Sequence, residues 1–480
     1  MVSVKDFAVL RDGADCRLVL PILDVEFRGG EVETYFTPLA AEVEREEGPS
    51  LVHAAARLRR GMMTGLLYEA EAGEHFARAM LAAFQRGDAL GTADGGRISF
   101  LPSPSLAAEP LTEDANVRRI GLGRRNSSLV LANQIMLKIH RRLEVGEDPE
   151  VEVLRFLTET AHFANCPALL GVVEYVDRAE NRTVLAILQT YVRNQGDARA
   201  WMLDALKRSL EAAALTPGQD DRAGHEEFAA FVPHLRRLGS CTAGMHMALA
   251  TPCADPAFKA EELSLDDVRM TAEAAGILAG RAFTRLRTIA VSFSGDKRAG
   301  AERLLARQQE CLCLIGKLIQ KPHGAIKIRI HGNYRLGRLL VVKDDIVIVD
   351  FGGETSVPID QMRAKTSPLR DVASMLRSFV HAVAAAKQDL ARLVPDPDHA
   401  AARLRDELIE FSQIFIRAYW EAARDSPIWI EDEGTRRRLL VLYLLNELLH
   451  DIESDSETRP EWIDMSVESV NTILDRMANE

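Results

Sequence analysis

The sequence predicts an α+β fold of two lobes, with strands in the first 200 residues and helices in most of the remainder. Two segments with alternating apolar and polar residues stand near the N-terminus, and short strands flank a charged helix between residues 110 and 200. Helical periodicity then dominates residues 201–480. We therefore expect a cap subdomain over 1–105, a strand-rich lobe over 106–200 and a mostly helical lobe over 201–480.

The cap segment contains two predicted strands and one predicted helix. The strands lie in "RLVLPILDVEF" and, after a Gly-Gly turn, in "GEVETYFTPLA", which favours a small antiparallel sheet. "EHFARAMLAAFQRG" has helical spacing and ends at a glycine. The stretch "SFLPSPSLAAEP" is rich in Pro and Ser and predicts a connection to the next lobe.

The middle lobe is predicted from a hairpin, a helix and a further strand. "SSLVLANQIMLKIHRRL" indicates a hairpin with a polar turn at Asn133 and Gln134, and "RTVLAILQTYV" indicates another strand. "DPEVEVLRFLTETA" predicts a helix entered through Asp148 and Pro149. In the third lobe, a hairpin within "IRIHGNYRLGRLLVVKDDIVIVDFGGE" interrupts helical segments over 200–320 and 368–480.

Composition and charge exclude several classes of protein. A net charge of -12 over 480 residues argues against a general nucleic-acid binder, which needs a basic surface. No apolar run approaches the length of a membrane span, and the N-terminus lacks the apolar region of a secretory signal. The six cysteines show no paired metal-binding spacing, which is typical of reduced thiols. We expect a cytoplasmic protein.

Lys138 and Glu152 match two of the groups that phosphoryl transfer requires. Such a site needs donors for the nucleotide phosphates, a lysine held by a carboxylate, a metal-binding acid and a group that positions the hydroxyl. Lys138 lies in the strand "IMLKIHRR" and Glu152 in the next helix, so the two predict an ion pair that grips phosphates. Each also has an ordinary alternative, an edge-strand lysine and a solvated glutamate.

Two further segments are candidates for contact with a nucleotide. "GLGRRNSSLV" is rich in turn and hydroxyl residues before a strand, so Asn126, Ser127 and Ser128 are candidate phosphate-binding residues; the alternative is a solvated turn. "ILQTYV" falls where the hinge of a two-lobed kinase would present its backbone to adenine, which nominates Gln189 and Tyr191.

The segment that follows the apolar "IKIRI" carries the candidate catalytic residues. Asp350 ends an apolar strand before Phe351 and Gly352, where a carboxylate is well placed to hold Mg²⁺; a turn-capping aspartate is the alternative. Asn333 in "HGN" stands where a phosphotransferase normally carries the carboxylate base.

The chain resembles the maltokinases, a family of the aminoglycoside-phosphotransferase-like group. The likeness runs through "GEVETYFTPLA", the hairpin and helix of the middle lobe, "QTYVRNQGDARAWMLDAL", "LGSCTAGMHMALA", "RAKTSPLRDVASMLRSF" and "RPEWIDMSVESV". The resemblance implies a bilobal protein-kinase-like fold whose nucleotide-binding lobe is 106–200. It also implies ATP and Mg²⁺ as cofactors, maltose or a related oligosaccharide as acceptor, and trehalose synthase as a possible partner, with maltose 1-phosphate as product for α-glucan synthesis.

The catalytic loop departs from the family pattern at several positions. The family loop has an aspartate base at the position of Asn333 and a metal-binding amide at that of Arg338, and a guanidinium has no acceptor atom. Arg335, Gly352 and Gly244 are further departures. Two hypotheses follow: a kinase that tolerates an altered loop, or a pseudokinase module that binds nucleotide or sugar without catalysis.

For the acceptor, the resemblance points to the segment after the metal-binding aspartate. That segment contains Arg363, Lys365 and Arg370, for which a solvated basic turn is the alternative. Asp371 begins the following helix, where a carboxylate favours the N-terminal dipole, so we interpret it as a helix cap. Arg459 and Trp462 in "RPEW" are interpreted as capping and packing residues.

Overall fold

The structure is a computed structural model that describes the chain except for residues 14–15, 44–53, 62, 109–115, 123–125, 216–221, 354–356, 391–396, 460–461 and 479–480. The described residues form two compact units. Unit 1 comprises Met1–Thr160 and Cys166–Arg193, and unit 2 comprises Ala161–Asn165 and Asn194–Glu480. The three-part division inferred from the sequence stays a prediction.

The residues of unit 1 that the structure describes form fourteen strands and two α-helices. The strands are β1 (Val2–Asp12), β2 (Cys16–Glu26), β3 (Val32–Phe36), β4 (Leu39–Val43), β5 (Ala54–Arg60), β6 (Met63–Glu69), β7 (Ala89–Gly91), β8 (Arg97–Pro102), β9 (Val117–Leu122), β10 (Asn126–Leu131), β11 (Ile135–His140), β12 (Arg142–Leu143), β13 (Leu169–Val176) and β14 (Arg182–Thr190). The helices are α1 (Glu74–Arg86) and α2 (Pro149–Arg155), and a π-helical turn over Phe156–Thr160 continues α2.

These strands build two antiparallel sheets that share one core. The first has the order β12-β3-β2-β4-β6-β5, with β1 along the other edge of β2, and the second has the order β7-β8-β13-β14-β11-β10-β9. Buried side chains of both sheets and of α1 form a continuous hydrophobic cluster. The sheets are also joined by a buried hydrogen bond, in which the Tyr175 hydroxyl donates to Asp6 Oδ2 at 2.9 Å.

Local sequence signals account for most elements of unit 1. Helix α1 ends at Gly87, whose φ of +64° is the left-handed conformation that glycine adopts without strain. The predicted hairpin is β10–β11, and its turn places Ala132 and Asn133 at positive φ. The prediction was wrong for "SFLP", which belongs to strand β8 rather than to a connection.

Unit 2 is mostly helical. Its helices are α3 (Ala198–Leu215), α4 (Arg222–Leu249), α5 (Leu265–Ala290), α6 (Gly295–Ala306), α7 (Gln308–Lys317), α8 (Ile359–Met362), α9 (Leu369–Leu390), α10 (Pro397–Ala423), α11 (Glu433–Thr458) and α12 (Ile463–Ala478). Among its described residues, the strands form two short antiparallel pairs, β15 (Glu261–Glu262) with β16 (Ile326–Lys327), and β17 (Leu339–Val342) with β18 (Asp345–Ile348).

The β17–β18 hairpin is the one predicted in the candidate catalytic segment. The segment "IKIRI" before it is largely not a strand: only Ile326 and Lys327 pair with β15, and Ile328 forms a single bridge to Thr366. The periodic stretch predicted from Asp266 to Lys317 is divided into α5, α6 and α7. Within the described part of the chain, every helix is too short or too polar to cross a bilayer.

Candidate functional site

In unit 1, Lys138 forms a buried ion pair with Glu150. Lys138 lies on β11, an interior strand, and is 6% exposed. Its ammonium donates to the two carboxylate oxygens of Glu150 at 2.8 and 2.7 Å. A buried ammonium is costly without a counter-charge, so this pair holds the lysine on the face of β11 opposite to that of Leu137 and Ile139. A lysine held in this way is the group with which kinases grip nucleotide phosphates.

The carboxylate in this pair is therefore Glu150 rather than the predicted Glu152. Residues two apart on a helix differ by about 200° around its axis, so the two glutamates point to different sides. Asp148 caps α2 by accepting the N–H groups of Glu150 and Val151 at 2.9 and 3.0 Å. The position of this helix start determines which side chains of α2 face β11. One feature of the sequence could have identified Glu150: it lies on the same face of the helix as Val153, three residues later, and Val153 is buried.

The candidate phosphate-binding residues begin strand β10. Ser128 pairs with Lys138 across the β10–β11 ladder, and Asn126 pairs with His140. Ser127 is fully buried, and among the described residues its hydroxyl has no hydrogen-bond partner. The preceding residues 123–125 of the predicted loop lie outside the described part of the chain. The phosphate-binding role of this segment stays a prediction.

The predicted hinge residues lie at and just after the end of β14. Gln189 is 2% exposed, and its amide oxygen lacks a partner among the described residues. The Tyr191 N–H donates to the carbonyl of Gln134 at 2.6 Å, and its phenol oxygen accepts from Arg118 at 3.0 Å. The N–H of Tyr191 is thus already used within unit 1. The predicted contacts of this segment with adenine stay predictions.

In unit 2, Asp371 holds the backbone of the candidate catalytic loop, residues 331–338. Its carboxylate is 1% exposed and accepts the N–H groups of His331 and Gly332 at 2.8 and 3.0 Å. Burial alone would raise the pKa of Asp371, but the hydrogen bond and charge of His246 more than offset it and lower that pKa. Asp371 lies in the first turn of α9, as interpreted from the sequence, and its side chain in addition binds this loop.

His331 connects the loop to the end of strand β18. Its Nε2 lies 3.1 Å from the Val349 carbonyl, and its Nδ1 accepts the Asn333 N–H at 3.3 Å. The carbonyl can only accept, so Nε2 carries the proton and Nδ1 does not. Complete burial lowers the pKa of His331, which agrees with this neutral tautomer.

Asn333 occupies the loop position at which the family resemblance predicts a carboxylate base. Its amide nitrogen Nδ2 donates to the carbonyl of Gly353 at 3.3 Å. Gly332 and Gly353 both have positive φ, and a Cβ at Gly332 would lie 3.5 Å from the Gly353 Cα. The loop and the segment after Asp350 therefore approach closely, and the group presented there is a neutral amide without basic character.

Arg338 and Asp350 form an ion pair. Nη1 of Arg338 donates to Oδ2 of Asp350, while the buried Nε–H of Arg338 has no partner among the described residues. Asp350 has φ of +63°, a conformation that is uncommon for a residue other than glycine.

This donor set does not fit a resident Mg²⁺. Magnesium needs oxygen ligands in near-octahedral geometry, but the carboxylate of Asp350 is bound to a guanidinium and Arg338 offers no lone pair. Asp350 was predicted to bind a metal ion, but the described residues around it do not supply the oxygen ligands that Mg²⁺ requires.

A polar cavity of about 430 Å³ adjoins the loop within unit 2. Charged and hydrogen-bonding side chains dominate its lining, which includes Asp197, Arg199, Asn333, Arg338, Arg370, Arg377, His381, Glu447, Arg459 and Trp462. Arg459 donates to Asp455 at 2.9 Å, and its guanidinium lies 4.5 Å from the centre of the Trp462 ring. Arg459 is the C-cap residue of α11, as interpreted from the sequence, and both Arg459 and Trp462 also line this cavity.

Of the three predicted acceptor-binding residues, the cavity lining includes Arg370 and not the other two. Lys365 is a structural residue: its ammonium donates to the carbonyls of Pro256 and Lys259 at 2.8 and 3.0 Å and pairs with Glu261. The predicted role of Lys365 in acceptor binding stays a prediction. Arg363 directly follows α8 and lies outside the lining.

Comparison with known proteins relates this fold to that of glucosamine kinases. No protein-family model matches the chain. A glucosamine kinase of Streptacidiphilus jiangxiensis is 26% identical over 285 residues, a match that covers 59% of this chain and only 58% of that protein. The structure of a glucosamine kinase in complex with glucosamine, ADP and inorganic phosphate is similar with a TM-score of 0.65 at 20% identity, covering 99% of this chain and 94% of the other.

A second crystal form of glucosamine kinase gives a TM-score of 0.66 at 19% identity over the same shares of the two chains. At these identities the similarity defines the fold rather than the substrate. The chain has the kinase-like α+β fold of these solved sugar kinases, as the sequence predicted.

Proposed function

We propose that this protein binds a nucleoside triphosphate and transfers its terminal phosphoryl group to a hydroxyl of a sugar. The observation that carries the proposal is the polar cavity beside a loop whose backbone Asp371 fixes, with Asn333 in its lining. The buried pair of Lys138 and Glu150 and the fold shared with glucosamine kinases support it. Because a shared fold does not define activity, the cavity is the main support for the proposed function.

The acceptor is a sugar because the cavity offers many donors and acceptors beside an aromatic face. Hydroxyl groups suit the carboxylates of Asp197 and Glu447 and the guanidinium of Arg370, and the Trp462 ring offers a flat apolar surface. Glucosamine, the ligand named for the similar structure, and maltose, which the maltokinase resemblance implies, are the two acceptors to test first.

Asn333 makes this reaction slow. The acceptor oxygen bonds to the γ-phosphorus as the bond from that phosphorus to the bridging oxygen breaks, and ADP leaves. An amide cannot take the hydroxyl proton, so the proton passes to a phosphoryl oxygen or to water. A positioned base contributes about 10²–10⁴-fold, but the transition state is loose, so transfer continues at a reduced rate.

Replacing Asn333 with aspartate tests this function. We expect sugar-dependent ADP release from the wild-type protein and an increase of at least about tenfold in Asn333→Asp, because a carboxylate then accepts the proton. The assay is ADP formation with glucosamine, maltose and glucose as acceptors. Asn116→Asp, the same change at an exposed position of unit 1, is the control and should leave the rate unchanged. Absence of sugar-dependent ADP release in both proteins contradicts the proposal.

The Arg338–Asp350 pair favours a second candidate, a non-catalytic module that binds nucleotide. In that case ATP raises the melting temperature of the protein, while neither the wild type nor Asn333→Asp/Arg338→Gln phosphorylates a sugar. Association with trehalose synthase, which rests on the maltokinase resemblance, belongs to this candidate as well. Co-elution of the two purified proteins in size-exclusion chromatography tests it.

A further inference from the structure

Arg338 lies at the end of the loop, and its side chain reaches the carboxylate of Asp350. The short 3-10 turn Leu336–Arg338 leads into β17, and the carbonyl of Arg338 accepts the N–H of Val349 at 2.9 Å. The Leu336 N–H donates to the hydroxyl of Ser378 at 3.0 Å, and the Leu336 side chain is buried. Both ends of the turn are therefore fixed, and Arg338 is held beside Asp350 by the backbone as well as by charge.

The guanidinium of Arg338 keeps donors for a further anion. Nη1 binds Asp350, while Nε–H is buried without a partner among the described residues, and the side chain lines the polar cavity. A guanidinium has five N–H donors and pairs readily with phosphate oxygens, which an amide at this position would not do. A buried donor without a partner is costly, so an anionic ligand that accepts from Nε is favoured.

We propose that the guanidinium of Arg338 takes the place of a divalent metal ion in this protein, so that nucleotide binding does not require Mg²⁺. This inference rests on the proposed function in that it presumes that a nucleotide binds. Arg338 neutralises Asp350 and offers donors to phosphoryl oxygens, which are two tasks of a cation at such a site. With its charge neutralised by Arg338, Asp350 no longer attracts a divalent ion, so the metal-free nucleotide binds at least as well as its Mg²⁺ complex.

The proposal is tested by calorimetric titration of the full chain with ATP, once with EDTA and once with excess Mg²⁺. For the wild type we expect an affinity in EDTA equal to or above that in Mg²⁺. Arg338→Gln restores an amide oxygen and removes the charge-assisted donors. It should bind about 10- to 100-fold more weakly in EDTA and regain affinity when Mg²⁺ is added. Arg424→Gln, an exposed change elsewhere in unit 2, should titrate like the wild type.

The outcomes separate this inference from the proposed function. Tenfold tighter wild-type binding with Mg²⁺ than with EDTA overturns the inference and leaves the proposed function standing, as does an Arg338→Gln protein whose affinity in EDTA is unchanged. Absence of ATP binding in both solutions overturns the proposed function itself. Arg338→Lys keeps the positive charge and should retain most of the affinity in EDTA. The wild-type comparison decides alone if Arg338→Gln does not fold.

Discussion

At the scale of single residues, the pairing of Lys138 with Glu150 depends on helix register rather than on residue type. Both Glu150 and Glu152 lie in the first turns of α2, and apolar neighbours surround each of them. Asp148 and Pro149 set where the helix starts, and that start turns Glu150 towards β11. Sequence could identify the lysine, because a lysine among apolar strand residues is unusual, but not which of two nearby glutamates it meets.

Removal of the Glu150 charge should therefore affect both stability and nucleotide binding. Glu150→Gln replaces the carboxylate that pairs with the buried ammonium of Lys138 by a neutral amide, and breaking a buried pair in this way costs about 3–5 kcal/mol. We expect a lower melting temperature and weaker ATP binding. Glu152→Gln, the same change two residues away on a half-buried side chain, is the matched control. Equal effects of the two variants would argue against the assignment of Glu150.

At the scale of elements, one carboxylate at the start of α9 holds the backbone of the candidate catalytic loop. Asp371 accepts two consecutive backbone N–H groups and a hydrogen bond from His246, whose Nε2 lies 3.2 Å away. Sequence could place Asp371 at a helix start but could not show that it binds a loop forty residues earlier. That contact depends on tertiary structure, whereas the dipole argument used for the cap is purely local.

Asp371→Asn should destabilise unit 2 and disturb the loop. An amide has one acceptor oxygen, so at least one of the two backbone N–H groups loses its partner, at about 1–3 kcal/mol for a buried donor. We expect a lower midpoint in urea unfolding and a reduced rate of any phosphoryl transfer. Asp360→Asn, on the exposed side of α8, is the control. If it lowered the unfolding midpoint as much as Asp371→Asn does, the effect would come from the lost charge rather than from the hydrogen bonds to the loop.

For the whole molecule, the sequence predicted the fold class more fully than the chemistry of the site. Long periodic helices such as α9 and the glycine-terminated α1 follow from local pattern, and so do the hairpins. The acceptor does not follow, because the cavity is assembled from residues between Asp197 and Trp462 that are far apart in the chain. That Arg338 cannot ligate a metal ion could be anticipated from its residue type, but its pairing with Asp350 required the structure.

Buried carboxylates should make the whole protein sensitive to acid. Burial alone would raise the pKa of Asp451, but the hydrogen bond from His381 and the charge of Arg377 more than offset it, so the pKa lies below its usual value of 3.8. Asp371 is shifted in the same direction. For a lowered folded-state pKa, the stabilisation is fully present above the unfolded value and is lost as pH falls through the folded value.

We therefore expect the free energy of unfolding to hold above about pH 5, to decline below about pH 4 and to continue falling as the buried carboxylates protonate. Asp451→Asn removes one of these groups and leaves Arg377 with Glu447, whose carboxylate lies 3.0 Å from its Nη1. The variant should be less stable at pH 7 and show a shallower decline between pH 4 and pH 2, because it no longer takes up that proton on unfolding. Urea unfolding of both proteins across this range measures the difference. Parallel curves for the two proteins would mean that Asp451 titrates alike in the folded and unfolded states.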